Sequence, residues 1–251
     1  MKYTSAIVLA AASQAAAGAI SHGHVRGKVH NHALRHAEIK ADEHLGKRDI
    51  LSDASGFIAG LGAKLGINSQ APTSNAWLGS EGPYTNEFTN DSGEDLVLFC
   101  WGPAGSWVNA VQPLISHPLA AGESVTVSYA EGASGGCSGV YPDTKMVNGQ
   151  IFNTWLEYTF AGIYSTYDVS REVNMNGRGI STVGPSCTTD MDTCVFKCSD
   201  ANASSCWFGY ELFNCHSGNG GGSGFDPSTG GASGGCNGLN GGSGALKTSL
   251  Q

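Results

Sequence analysis

All eight cysteines of the chain lie beyond residue 99, at positions 100, 137, 187, 194, 198, 206, 215 and 236. An even set of widely spaced half-cystines behind a secretory-type leader constrains the fold more than any other feature. It predicts up to four disulfides and an oxidising, extracellular destination. Spacing leaves 105 pairings open. Cys194 and Cys198 are excluded as partners within one strand, because four residues at about 3.3 Å each exceed the reach of a disulfide. Cys198 and Cys206 are placed to face each other across a turn at 200–204. A zinc reading that joins Cys194-x3-Cys198 to Cys206 and His216 is weaker, because thiolates persist poorly outside the cell and no Cys-x2-Cys pair is present. No metal and no cofactor are expected.

Residues 1–19 have the layout of a signal peptide. Lys2 precedes an apolar run at 7–12, and small residues follow at 15–19. The run is too short to span a bilayer, so no membrane association is expected. Residues 20–48 are polar and His-rich and end in Lys47-Arg48, which reads as a propeptide with a dibasic processing site. Charge divides at the same place. Seven Lys and Arg and three Asp and Glu precede Asp49, six and eighteen follow, and the later part therefore carries −12. Such a surface repels nucleic acid.

Residues 49–80 are rich in Gly, Ala and Ser and read as a linker or loosely docked arm, with a short helix over 51–65 weakened by its glycines. From 81 to 216 short alternating runs are separated by Gly, Pro, Asn and Asp, as at Tyr84–Asn90, 95–101, 123–130, 155–160, 164–170, 193–198 and 206–214. No long segment has helical period. The pattern predicts an all-β chain, a β-sandwich stapled by disulfides. Residues 217–251 are mostly Gly and Ser and predict a Gly-rich C-terminal tail, pinned by Cys236.

Most of the chain's histidines lie in the expected propeptide, from His22 to His44, where removal takes them out of any copper chemistry; only His117 and His216 remain. No Gly-x-Ser-x-Gly elbow supports a serine hydrolase. Carboxylates remain. Glu157 and Asp168 sit on neighbouring predicted strands joined by a short connection, with Glu157 on the face opposite Leu156 and Tyr158. Asp143, Glu172, Asp190 and Asp192 are candidates to join them. Two carboxylates about 5–9 Å apart are what glycosidic hydrolysis requires, and mutual repulsion raises one to serve as the acid. Aromatic side chains supply the binding reading. Trp101 and Trp107 flank a Gly-Pro-Ala-Gly-Ser loop and, with Tyr141 and Tyr164, are candidate sugar-stacking surfaces, whereas Trp155 and Trp207 are expected in the core. Asn90 and Asn202 head glycosylation sequons at expected turns.

The segments YTNEFTNDSGEDLVLFCWGPAGSWVNA, LAAGESVTVSYAEGASGGCSGVYPDTKMVNGQI, TWLEYTF, YDVSREVNMNGRGIS and MDTCVFKC, with SGGCNG and ALKT near the end, resemble the secreted Aspergillus allergen family called Asp f four, over about Tyr84 to Thr248. The resemblance implies a secreted fungal protein, recognised in some members by host IgE. A wider similarity links Asn86–Asn90, Leu119–Val127, Leu156-Glu157-Tyr158 and Tyr167–Ser170 to thaumatin-like proteins. It implies a thaumatin-like β-sandwich and an acidic cleft that binds or cleaves β-1,3-glucan, with Glu157 and Asp168 matching two of its carboxylates. The segment that carries the cleft arginine in that family has no counterpart after Gly136. The combined expectation is an extracellular, cell-wall-associated protein that binds β-glucan without turnover. The alternatives are a glycoside hydrolase using Glu157 and Asp168, and a host-directed effector.

Overall fold

The computed structural model describes residues 50–103, 108–226, 231–239 and 243–251. The expected signal peptide, the His-rich propeptide, the Lys47-Arg48 site and Trp107 lie outside the described residues. Along the chain, α1 (Ala54–Gly60) precedes β1 (Ala76–Leu78), β2 (Tyr84–Asn90), β3 (Leu96–Trp101), β4 (Ile115–Leu119), β5 (Ser124–Tyr129) and β6 (Ser134–Val140). The small hairpin β7 (Met146–Val147) and β8 (Gln150–Ile151) leads into β9 (Trp155–Thr159), β10 (Thr166–Ser170), β11 (Ile180–Val183) and β12 (Thr188–Thr189). The chain ends through β13 (Val195–Cys198), β14 (Tyr210–Phe213), β15 (Gly221–Asp226), β16 (Gly231–Cys236) and β17 (Gly244–Leu250).

Two sheets enclose the main core. One is six-stranded, in the order β1-β5-β2-β17-β11-β12. The other is nine-stranded, running β14-β13-β10-β9-β6-β3-β4, with the β15–β16 hairpin attached to β10 through β16. The chain is thus all-β in character and sandwich-like. β2 shows why. Its alternation puts Tyr84, Asn86, Phe88 and Asn90 inside. The two buried amides are satisfied: Asn86 and the Thr248 hydroxyl bond each other at 2.8 and 3.0 Å, and Asn90 Nδ2 donates to the carbonyls of Glu94 and Leu119.

β3 is buried along its whole length. Leu96, Leu98 and Cys100 face the core between the sheets, while Val97, Phe99 and Trp101 face a second cluster with Trp155, Ile50 and Ile58. An apolar run buried on both faces needs cover on its outer side. The segment 50–66 supplies it, so the expectation of a loose arm at 49–80 is overturned. Asp53 caps α1 by accepting from Gly56 N at 2.9 Å, Ile58 is fully buried, and β1 joins the six-stranded sheet through β5. The helix is shorter than the 51–65 span that sequence suggested.

The C-terminal segment is not a tail. β17 lies in the middle of the six-stranded sheet, parallel to β2 over Gly244↔Tyr84 to Leu250↔Asn90 and antiparallel to β11. The Gly-rich stretch forms the β15–β16 hairpin, registered from Gly221↔Cys236 to Asp226↔Gly231. Backbone hydrogen bonding orders it where side chains cannot. A boundary at 216 therefore cuts through the sandwich. The disulfides are Cys100–Cys137, Cys187–Cys236, Cys194–Cys215 and Cys198–Cys206. The first joins directly opposed residues of β3 and β6, and the last is the pairing expected across the 200–204 turn. Four disulfides are consistent with an extracellular protein. Among the described residues no helix is long and apolar enough to cross a membrane.

Candidate functional site

The carboxylates are positioned by strand alternation. On β9, Leu156 and Tyr158 enter the main core, so Glu157 stands on the outer face of the nine-stranded sheet. β10 alternates likewise, with Tyr167 and Val169 inward. The strands pair antiparallel with Glu157 directly opposite Asp168 and Trp155 opposite Ser170. On its other side Glu157 faces Gly136 of β6. That glycine is required: a Cβ there would stand 2.7 Å from the Trp101 ring. Trp101 meets Trp155 edge to face at 5.0 Å, so Glu157 emerges beside an apolar floor.

A cleft of about 900 Å³ opens above this floor. Glu157, Glu172 and Ser170 supply its polar base, and Trp155, Phe196, Trp207, Phe208, Tyr210 and Phe225 its aromatic lining. Trp207, Phe208 and Phe225 are exposed. The Cys198–Cys206 bridge closes the loop that directly precedes Trp207 and Phe208. That loop is tied to the acidic segment, because Cys206 N donates to the Glu172 carbonyl at 2.8 Å and Met175 N to the Ser204 carbonyl at 2.9 Å.

The acids share one electrostatic environment. Burial pushes Glu157 up to about 7, and a hydrogen bond from Ser170 opposes the rise. Burial and then the Glu157 charge push Glu172 up to about 8. Asp168 is pushed well above the usual carboxylate range by burial, then by Glu157 and Glu172. Asp168 is only 5 % exposed, and its Oδ1 has no hydrogen-bond partner. Proton affinity rises because no cation compensates the desolvation.

The expected pair is therefore adjacent, but it does not open together onto the groove. Glu157 reaches the cleft; Asp168 lies buried beneath it, and Glu172 is the second carboxyl on the lining. Of the four further candidates only Glu172 joins. Asp143 bonds Arg178 at 3.1 Å, Asp190 accepts from Asp192 N and Thr193 N, and Asp192 pairs with Lys197 at 2.8 Å.

The aromatic expectations divide. Trp101 is fully buried, because β3 carries it into the second cluster, so it offers no stacking surface. Tyr141 is also buried, with the Arg178 guanidinium 4.6 Å over its ring. Tyr164 is exposed on the turn between β9 and β10, away from the cleft lining. Trp207, assigned to the core from sequence, is 65 % exposed and lines the cleft. The signal that pointed to it was Trp207-Phe208 directly after a half-cystine, two large apolar residues in a turn-rich stretch. Asn90 is buried with its amide committed to two carbonyls, whereas Asn202 is exposed.

Among the described residues the one group of three potential metal donors within 4.8 Å of one another is Cys187, Cys194 and Cys236. All three are in disulfides and lack the thiolate a metal requires.

The cleft can hold a partly apolar ligand against its rings while the carboxyl groups form hydrogen bonds with it. Glu157 and Glu172 can also exchange a proton near neutral pH. No known family model, curated protein or solved structure matches this chain.

Proposed function

We propose that the chain is a secreted protein that binds an extracellular polysaccharide along the outer cleft of its nine-stranded sheet and does not hydrolyse it. The observation that carries this reading is the combination of exposed Trp207, Phe208 and Phe225 with Glu157 and Glu172 in one cleft. Flat rings stack on the apolar faces of sugars, and a protonated carboxyl both donates to and accepts from hydroxyls. The four disulfides support an extracellular setting. The resemblance to thaumatin-like proteins and to the Asp f four allergens makes cell-wall β-1,3-glucan the first ligand to try, a fungal cell wall the setting, and host IgE a partner of the exposed surface.

Absence of turnover follows from charge. Below pH 6 both cleft glutamates are held mostly protonated by burial, and the third acid is buried below them. A glycosidase needs one carboxylate ionised while the other is protonated. Glycoside hydrolysis is the second reading. It is favoured by the raised Glu157 and Glu172, which near pH 7 supply one carboxylate and one acid, and it uses this pair in place of Glu157 and Asp168.

The test is to incubate the purified protein with insoluble β-glucan and with chitin, and to measure pelleted protein and released reducing ends. Pelleting abolished by Trp207→Ala, without sugar release, is the expected result. Release that disappears in Glu157→Gln establishes the hydrolase. Neither pelleting nor release refutes both readings for these neutral polymers.

A further inference from the structure

The uncompensated acids of the cleft narrow its ligand beyond polysaccharide in general. We propose that it selects a cationic amino-sugar chain, a polymer whose units carry protonated primary amines, over a neutral glucan. The inference rests on the carbohydrate reading above.

The ionisable groups on the lining are Glu157, Glu172, Glu211 and Tyr210, with Asp168 beneath. No Lys, Arg or His lines the cleft among the described residues. The stretches 104–107 and 227–230, outside the described residues, contain none in sequence. Among the described residues the basic side chains of the adjoining segments make contacts elsewhere. Arg171 donates to the carbonyls of Met191 and Met175, Lys197 pairs with Asp192, and Arg178 holds Glu94 and Asp143. Among the described residues three acids are thus packed together with no basic side chain paired to them, and one buried carboxyl oxygen, Asp168 Oδ1, has no partner. A cation supplied from outside to Glu157 and Glu172 on the lining provides the counter-charge that lets them ionise. A neutral glucan supplies none. The aromatic walls serve the same ligand, because Trp and Phe faces attract both the sugar ring and an ammonium group. Binding an ammonium lowers the proton affinity of the carboxyls, so association releases protons.

The experiment is calorimetric titration of the purified chain at pH 6.5 and low salt with three hexasaccharides: glucosamine, N-acetylglucosamine and β-1,3-glucose. Two buffers of different ionisation heat report proton release. The expected result is at least about tenfold tighter binding of the glucosamine hexamer, with proton release. Glu157→Gln with Glu172→Gln removes the preference; Glu87→Gln with Glu123→Gln, two acids neutralised on β2 and just before β5 away from the cleft lining, leaves it intact. Equal loss in both double variants marks general attraction to an acidic protein and overturns the inference. Equal or tighter binding of the neutral hexamers overturns it and leaves the carbohydrate reading standing. No binding by any hexamer overturns both. Should the cleft double variant fail to fold, Glu172→Gln alone carries the same comparison, since Glu172 lies past the end of β10 on the cleft lining.

Discussion

Glu157 of β9 stands directly opposite Asp168 of β10, and the two acids differ in kind: one reaches the cleft, the other is 5 % exposed beneath it. Cross-strand neighbours have Cβ atoms about 5 Å apart. At that spacing two buried carboxylates do not ionise together, and Glu172 adds a third charge to the group.

Stability is expected to fall as pH rises. In the unfolded chain these carboxyls titrate near about 4. In the folded chain Glu157 rises to about 7, Glu172 to about 8, and Asp168 also shifts upward. Between those limits the folded state retains protons that the unfolded state has lost, so the contribution is complete below the unfolded values and disappears as pH rises through the folded ones. Thermal melts from pH 4 to 9 should show a higher Tm at pH 5 than at pH 8. The variant Glu157→Gln, Asp168→Asn, Glu172→Gln should flatten that slope. An unchanged slope in the variant places the pH dependence elsewhere.

Two tryptophans should part company on mutation. Trp101 is fully buried against Trp155, so Trp101→Ala is expected to cost about 3–5 kcal/mol in urea unfolding. Trp207 is 65 % exposed, so Trp207→Ala should change stability by about 0.5 kcal/mol or less while removing polysaccharide binding.

Removing the Cys198–Cys206 bridge with a double Cys→Ser change should cost about 2.5 kcal/mol by chain entropy, for a sequence separation of 8. It should also weaken polysaccharide binding, because the bridge fixes Cys206, which directly precedes Trp207 and Phe208 and is anchored at the Glu172 carbonyl. Hydrogen exchange at the backbone amide of position 206, which donates to the Glu172 carbonyl, reads the loosening directly.

Glycan occupancy should separate the two sequons. Asn90 Nδ2 donates at 2.8 and 2.9 Å inside the sandwich, and a sugar on that nitrogen displaces it; Asn202 is exposed. Mass spectrometry of protein produced through a secretory pathway is expected to find glycan at Asn202 and none at Asn90.

Gly235→Ala tests the cover over the acids. A Cβ there would meet the Tyr167 carbonyl at 2.8 Å and Asp168 Oδ2 at 3.1 Å, at a backbone φ of +133° that other residues rarely adopt. A loss of about 1–3 kcal/mol is expected in urea unfolding. Unchanged stability shows that the β15–β16 hairpin does not press on β10.

Local pattern by itself determined the strands. Period-two alternation in 84–90 and 155–170, interrupted by turn residues, specified β2, β9 and β10, and the short β9–β10 connection set Glu157 beside Asp168. The even cysteine count implied a stapled body, and the 198–206 spacing suggested one of the bridges. Tertiary structure alone decided which side of each strand meets water. β3 is covered on both faces, so Trp101 is core, while Trp207 follows a half-cystine onto the cleft, the reverse of what their local contexts suggest. The same holds for the C-terminal segment. Its Gly and Ser bury too little apolar surface to order the chain alone, yet β17 pairs with β2 across 160 positions of sequence, from Gly244↔Tyr84 to Leu250↔Asn90. Leu246, Thr248 and Leu250 alternate into the core, but a local alternation marks a strand and its inward face without naming the distant strand it pairs with. Glu172 joined the acids for a related reason: it lies past the end of β10, where alternation stops and the contact with Cys206 takes over.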